Sequence, residues 1–329
     1  MKRFLLFLIV LGSTVFGALY FLAHQVNETF ADPKSVQFTK GTSTRQLAVS
    51  LAKARIVRSQ WHFWAARLLH PRSRLMAGDY SFDKPISPNE VIGRLIRGEV
   101  YFYPLTVPEG YNIFDIAKSL EGQGLFSSEA FLEQAKQPTM IRDLAPNATS
   151  LEGFLFPSTY YLTYHTSPEQ VCRMMTNEFR KQWKELGAGG DPVRTVTLAS
   201  LVEKETGLKE ERPLVAGVFE NRIDRGIKLD CDPTTAYAAM LLGVWRGKIY
   251  RSDLNRKHAY NTYKVAGLPP GPIANPGIAS LKAALHPLNS KYLYFVAKAD
   301  GTGGHNFSET LSLHQRAVDQ YRRAVKNPK

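Results

Sequence analysis

A chain of 329 residues allows two or three domains and an ample core. Its 44% hydrophobic and 22% charged residues exclude a disordered polymer, and its 2 cysteines, neither in a CxxC pair, exclude a disulfide framework and a zinc site of that spacing. Lys and Arg number 42 against 29 Asp and Glu, a net charge of +13, which points to an anionic partner: nucleic acid, a membrane surface or an acidic polymer.

The first predicted element narrows that choice. Phe4 to Ala23 is an uncharged run of 20 residues, long enough as a helix to cross a hydrocarbon core of roughly 30 Å. A cleavable signal peptide is the rival reading, but its apolar region is typically about 7–15 residues. No A-x-A cleavage pattern follows at Ala23, His24 and Gln25. Lys2 and Arg3 precede the run, and the first acidic residue after it is Glu28. The positive-inside rule then retains residues 1–3 in the cytoplasm, makes residues 4–23 a transmembrane helix and exports the remainder. Nucleic acid is thereby excluded as a partner. Pairing of Cys172 with Cys231 in an oxidising compartment is left open.

Residues 24–34, polar and carrying Pro33, read as a linker. Beyond it the chain repeats itself at an offset of 69 residues: Phe38-Thr39-Lys40-Gly41 corresponds to Val107-Pro108-Glu109-Gly110, and Leu47, Ala48 and Leu51 to Ile116, Ala117 and Leu120. Each copy predicts a short strand, a glycine turn, an amphipathic helix and a second helix after a serine cap, Ser59 or Ser128. Between the copies, Ala77 to Phe82 predicts a strand. Ser87-Pro88-Asn89-Glu90 predicts a capped helix ending near Gly98. Strand, turn and helix in this order resemble LysM-like carbohydrate-binding modules; generic α/β packing gives the same pattern. The repeat region is taken as 35–150 and expected to act as a binding platform.

A second region, 151–329, opens with the aromatic segment Leu151 to Leu162 and a helix from Pro168 to Leu186, ended by Gly187 to Gly190. Asp191 then caps a helix with Pro192 in first position, stopped by Gly207. On a helical wheel Glu205 falls between Leu201 and Leu198, on the apolar face, whereas Glu203 lies on another side. Burial and the negative end of the helix dipole both raise a carboxyl's pKa. A carboxyl kept protonated in this way suits a general acid acting on a glycosidic oxygen. The alternative is a helix-end glutamate paired with Lys204, Lys209 or Arg212. Further on, Asp232 reads as a helix cap before Pro233. The stretch Gly267 to Gly277 holds 4 prolines and 3 glycines in 11 residues, a stiff loop suited to a cleft wall. A helix from Ile278, an aromatic strand from Tyr292 to Ala297 and a last helix with Leu311, Val318, Tyr321 and Val325 in one stripe complete a mixed α+β body.

The motifs LEGFLFPSTY, LVEKETG, ERPLVAGVFENR, DPT, YNTY, GLPPGPIANPG, HPLNSKYLYFVA and GGHNFSETL follow one another in order from Leu151 to Leu311. In them it resembles the endolytic murein transglycosylases, the MltG or YceG-like family. That resemblance implies an α+β protein with an N-terminal transmembrane helix in the inner membrane, LysM-like α/β subdomains and a catalytic domain in the extracytoplasmic space. It implies peptidoglycan glycan strands as substrate, no cofactor or metal, and work beside peptidoglycan synthases (penicillin-binding proteins). The family's catalytic glutamate falls on Glu205. The implied reaction cuts the β-1,4 bond from N-acetylmuramic acid to N-acetylglucosamine and leaves a 1,6-anhydro end. Leu229-Asp230-Cys231 departs from the family pattern, where a Gln-Thr pair precedes DPT. A noncatalytic wall anchor and a lysozyme-type hydrolase are the competing functions.

Four supporting residues carry two readings each. Glu152 either lines the cleft, meeting a glycan hydroxyl, or is structural. Asp232 either caps a helix or touches ligand. Asn261 and Tyr263 either bond N-acetyl groups or hold their loop. His305 has no metal partner four residues away and reads as a turn or supporting histidine. Lys248, Arg251, Arg256 and Lys257 either meet stem-peptide carboxylates or are solvated surface.

Overall fold

The computed structural model describes residues 2–26, 32–163 and 166–326. The linker expected over 24–34 lies partly outside them. The chain divides into two compact units, Met1–Tyr103 with Tyr161–His165, and Pro104–Tyr160 with Thr166–Lys329. This division falls earlier than the 150/151 step between the two sequence regions.

In unit 1 the first element is α1 (Lys2–His24), a single apolar helix of 23 residues. Strand β1 (Lys34–Phe38) leads to α2 (Thr44–Lys53) and α3 (Gln60–Leu69). Strand β2 (Gly78–Phe82) then returns antiparallel to β1, pairing Lys34 with Phe82 and Phe38 with Gly78. Helix α4 (Pro88–Arg97) completes the unit. Its core holds Phe38, Leu47, Leu51, Phe63, Tyr80, Phe82, Ile92 and Leu95, all buried. Ser87 caps as read, its hydroxyl accepting the Glu90 amide at 3.2 Å; α2 opens on a capping box of Ser43 and Gln46 that the sequence reading did not single out. The Glu90 carboxylate, however, turns to Arg97, at 2.9 Å. Ser59 holds the N-cap position of α3, as read, but its hydroxyl bonds the His62 ring at 2.8 Å instead of a backbone amide.

Unit 2 begins with the second copy of the repeat. Strand β3 (Tyr103–Thr106) is followed by α5 (Ile113–Gly122) and α6 (Ser128–Ala135). Helix α5 starts and stops 69 residues after α2, matching the sequence offset. The cap of α6 is Ser127 rather than Ser128, whose amide and hydroxyl instead donate to Glu121. Strand β4 (Thr159–Leu162) pairs with β3. Then come α7 (Pro168–Glu185), α8 (Pro192–Glu205), α9 (Arg212–Asp224), α10 (Asp232–Leu241), the short α11 (Arg251–Leu254) and α12 (Ile278–Leu285). Strands β5 (Tyr294–Ala297) and β6 (His305–Ser308) pair antiparallel, Tyr294 with Ser308, and α13 (Leu311–Lys326) packs over them. Within the stripe read on α13, Val318 and Tyr321 are half-buried, but Leu311 and Val325 are exposed.

The heart of unit 2 is α8, which lies against α9 and α12. All seven residues from Val196 to Val202 are buried, so both faces of the helix are packed. Close backbone approach fixes the neighbours: a Cβ on Gly217 of α9 would stand 2.2 Å from the Leu288 carbonyl oxygen. Gly153 has φ +84, and a Cβ there would meet Pro272 at 2.5 Å. The proline-rich loop is therefore pressed against the segment that opens at Leu151.

Candidate functional site

Helix α8 delivers the candidate acid. Asp191 Oδ1 accepts the Val193 amide at 2.9 Å and Pro192 takes the first position, so the helix start is pinned. At the other end Glu205 is half-buried on the wall of a cleft of about 410 Å³. The pairings weighed for a helix-end glutamate go elsewhere. Arg212 lies 2.9 Å from Glu203, and Lys204 Nζ donates to the Gly110 carbonyl at 3.2 Å. Glu205 Oε1 instead accepts from the Cys231 thiol at 3.0 Å.

Burial is the main cause that raises the Glu205 pKa above the ordinary carboxyl value, and the nearby Asp232 charge adds to it. The Cys231 hydrogen bond, His305 and Arg222 pull the other way without reversing the shift. Cys231 is itself buried, and burial together with Glu205 pushes its thiol well above its usual value. It therefore stays an S–H donor. Its amide donates to Thr262 Oγ1 at 3.0 Å, and Thr234 Oγ1 donates to its carbonyl at 2.6 Å.

The rest of the wall comes from four other elements. Arg222, at the end of α9, donates to the carbonyls of Leu293, Lys228 and Leu229 at 2.6–2.9 Å and stands 5.1 Å over the Tyr294 ring. Asp230 occupies the left-handed region at φ +51, a conformation that Asp tolerates better than most side chains, with its carboxylate 3.6 Å from Arg222. Asp230 thus brings a carboxylate to the cleft, and Arg222 faces it. His314 of α13 stacks on Tyr294 at 5.2 Å between ring centres, and its Nδ1 is buried without a hydrogen-bond partner. Behind Glu205, His305 donates its amide to Glu211 Oε1 at 2.8 Å and places Nδ1 2.7 Å from Oε2. Among the described residues no cluster of His, Cys, Asp and Glu is arranged to hold a metal ion.

A second cleft of about 350 Å³ is lined by Tyr237, Met240, Trp245, Ile249, Lys204 and Asp232, among others. Asp232 lines both clefts, so they adjoin.

The four supporting residues separate. Tyr263 and Asp232 come together at the cleft, the Tyr263 hydroxyl donating to Asp232 Oδ1 at 2.7 Å. Asp232 is not the cap: α10 begins with it, Cys231 holds the N-cap position, and Asp232 is exposed. Asn261 is 0% exposed. Its Nδ2 donates to the carbonyls of Asp253, Leu254 and Arg256, and its Oδ1 accepts from Thr235 and from the Tyr263 amide. It holds the loop and has nothing left for an N-acetyl group. Glu152 is likewise buried away from the Glu205 cleft: Oε2 accepts the Ile113 amide at 3.0 Å and Oε1 accepts from Asn275 at 2.9 Å. Burial raises its pKa to about 8. Of the basic residues, Arg256 is bound to buried Asp253 at 3.4 Å, whereas Lys248, Arg251 and Lys257 are exposed.

The sequence reading missed Cys231, Arg222, Tyr294, His314 and Trp245. For His314 a signal existed: it lies three residues after Leu311, on the stripe read along the last helix. The meeting of Cys231 with Glu205 across 26 residues had none.

Residues 36–320 match the model of the YceG-like family. An endolytic murein transglycosylase of Bacillus subtilis (strain 168) is 32% identical over 335 aligned residues, covering 95% of this chain and 91% of the relative. Another, from Streptococcus pneumoniae serotype 2 (strain D39), is 29% identical and covers 97% of this chain; the match spans 64% of that longer protein. The crystal structure of a yceG-like protein from Listeria monocytogenes superposes with a TM-score of 0.56 at 28% identity, covering 88% of this chain and 99% of the other.

Proposed function

The chain belongs to the YceG-like family, and from that premise we propose that it is a membrane-anchored endolytic lytic transglycosylase of peptidoglycan with Glu205 as general acid and base. The observation that carries the assignment is the setting of that carboxyl: at the end of a fully packed helix, facing a cleft, with its pKa raised by burial. The names of the similar proteins supply the substrate class.

In this reading protonated Glu205 gives its proton to the oxygen that links N-acetylmuramic acid to N-acetylglucosamine. The carboxylate so formed takes the proton of the muramic acid's own C6 hydroxyl, which attacks C1 and closes the 1,6-anhydro ring. Because the Cys231 thiol donates to Oε1, that oxygen is the acceptor face of the carboxyl, and the acidic proton resides on Oε2. The nucleophile is tethered to the reacting sugar, so one carboxyl suffices and proximity replaces a bound water. Cys231 holds the acid in place, and Arg222 fixes the wall beside it. The two adjoining clefts give the strand a path, with Trp245 as an apolar platform for a sugar face. Helix α1 holds the enzyme in the inner membrane as a single span, with residues beyond it outside the cytoplasm. The strand–helix–helix–strand order of β1, α2, α3 and β2 supports a LysM-like, glycan-binding reading of unit 1. Penicillin-binding proteins, which make the strands, are the partners this activity calls for.

Glu205→Gln keeps the shape but cannot give and reclaim a proton. Turnover on glycan strands is expected to fall about 10²–10⁴-fold, with the circular dichroism spectrum unchanged. Wild-type turnover in a folded variant refutes the assignment. Asp232 shares the cleft, and a two-carboxyl hydrolase would employ it. Mass spectrometry separates the reactions, since anhydro-ended products are one water lighter than the reducing ends a hydrolase leaves.

A further inference from the structure

The end of α1 is not clear of the folded protein. Ala23 is 0% exposed within the core of unit 1, and Leu19 and Leu22 pack against the same cluster. Gln25, just beyond, lies 3.1 Å from the ring of His62 on α3. Helices α1 and α3 are in extensive contact.

This has a geometric consequence once α1 is read as the membrane span. From Phe4 to Ala23 the 20 residues measure about 30 Å at about 1.5 Å each, the thickness of a hydrocarbon core. From Phe4 to Ala18, before unit 1 begins to cover the helix, the 15 residues measure only about 22 Å. The missing stretch lies where Leu19, Leu22 and Ala23 are enclosed by unit 1. The part of unit 1 around them therefore sits at the level of the outer hydrocarbon edge.

The surface of α3 suits that level. Trp61 is 68% exposed and Leu68 59%, and Trp64 is half-buried between them. At intervals of three and seven residues these side chains share one stripe of the helix. Tyr20 and Phe21 of α1 are exposed at the same end of the span. Exposed Arg58 precedes α3, and exposed Arg72 and Arg74 follow it. An apolar, tryptophan-bearing stripe between cationic ends is the pattern of a helix lying in a lipid interface, where indole sits at headgroup depth and arginine reaches outward.

We propose that α3 is a second membrane contact, with Trp61, Trp64 and Leu68 immersed in the headgroup and upper acyl region of the bilayer that α1 crosses. The proposal rests on reading α1 as a membrane span, and its test separates the two. Unit 1 is then seated on the membrane by two helices.

The full chain is reconstituted in nanodiscs of phosphatidylcholine with phosphatidylglycerol. Nitroxide labels are placed one at a time on Val10→Cys, Trp61→Cys and Leu68→Cys; the native thiols Cys172 and Cys231 are buried. Collision of each label with oxygen, which concentrates in lipid, is compared with collision with a water-soluble nickel chelate. At all three positions oxygen collisions are expected to exceed nickel collisions several-fold. If position 10 reports lipid while positions 61 and 68 report water, the span stands and the α3 contact is refuted; a locally thinned bilayer then makes up the length. If position 10 also reports water, the span itself is refuted and the contact falls with it. A variant that misfolds is replaced by native tryptophan quenching with brominated lipid, compared between the wild type and Trp61→Phe. An unchanged quenched fraction overturns the proposal, and a loss supports it.

Discussion

Glu203 and Glu205 stand two residues apart and do different work. Glu203 is 5% exposed in its side chain, bridges Arg212 at 2.9 Å and accepts the Gly277 amide at 2.9 Å. On the helical wheel it lies off the apolar face; the structure makes it a tie between α8, α9 and the proline-rich loop. Glu203→Gln leaves the buried Arg212 with only the half-exposed Glu109, at 3.7 Å. A loss toward the lower end of about 3–5 kcal/mol is expected in denaturant titration. Cys231 bonds Glu205 instead, and in the proposed reaction it tunes the acid. Its S–H bond favours the charged form of Glu205, so removing it raises the carboxyl's pKa further. In the proposed reaction Glu205 must be protonated before each turnover, and activity is lost as pH rises through that pKa. The alkaline limb of the rate profile should therefore move to higher pH in Cys231→Ala. In Cys231→Ser, with its stronger donor, it should move down. Coincident profiles for both variants and the wild type would show that the thiol does not tune the acid.

At the scale of elements, contact distance decides which motif residues are replaceable. Gly217 lies in VAGVFENR, where a helix would accept alanine on propensity alone. The Leu288 carbonyl, 2.2 Å from where a Cβ would stand, forbids it. Gly217→Ala is expected to push α9 from the 286–290 segment and cost about 1–3 kcal/mol, read as a lowered melting temperature. The site would feel the shift, because Asn221 and Arg222 on the same helix bond the carbonyls of Ser290, Tyr292 and Leu293. A well-folded variant with the wild-type melting temperature would contradict that picture. The helices and their starts were legible in sequence because capping is local: Ser87 and Asp191 each act on an amide within three residues. The errors of one residue, at Ser128 and Asp232, arose where a neighbour could take the same role and a longer-range bond settled the choice.

At the scale of the whole molecule, the repeat region is not one detachable platform. Its first copy lies in unit 1 and its second in unit 2. The second copy is bonded into the body that carries Glu205: Ile113 to Glu152, Gly110 to the Asn275 carbonyl, and Lys204 back to the Gly110 carbonyl. Deletion of residues 35–150 is therefore expected to abolish activity on short and long glycans alike, with loss of cooperative unfolding. A binding platform would instead have contributed uniform affinity, lost mainly on long strands. Retained kcat on short fragments in a folded deletion variant would restore the platform view.

The sequence by itself determined the apolar span, the duplicated strand–helix–helix unit, the helix starts and the helix that ends in Glu205, because each rests on periodicity or on bonds between near neighbours. Only the tertiary structure decided which carboxyl is available. Glu152, Glu203, Glu205 and Asp232 are alike as residue types, and their environments depend on partners far along the chain. Asn275 and Ile113 enclose Glu152, and Arg212 takes Glu203. Cys231 meets Glu205 at the cleft, and Tyr263 turns to Asp232. Desolvation and long-range hydrogen bonding set a carboxyl's role, and neither is written in spacing.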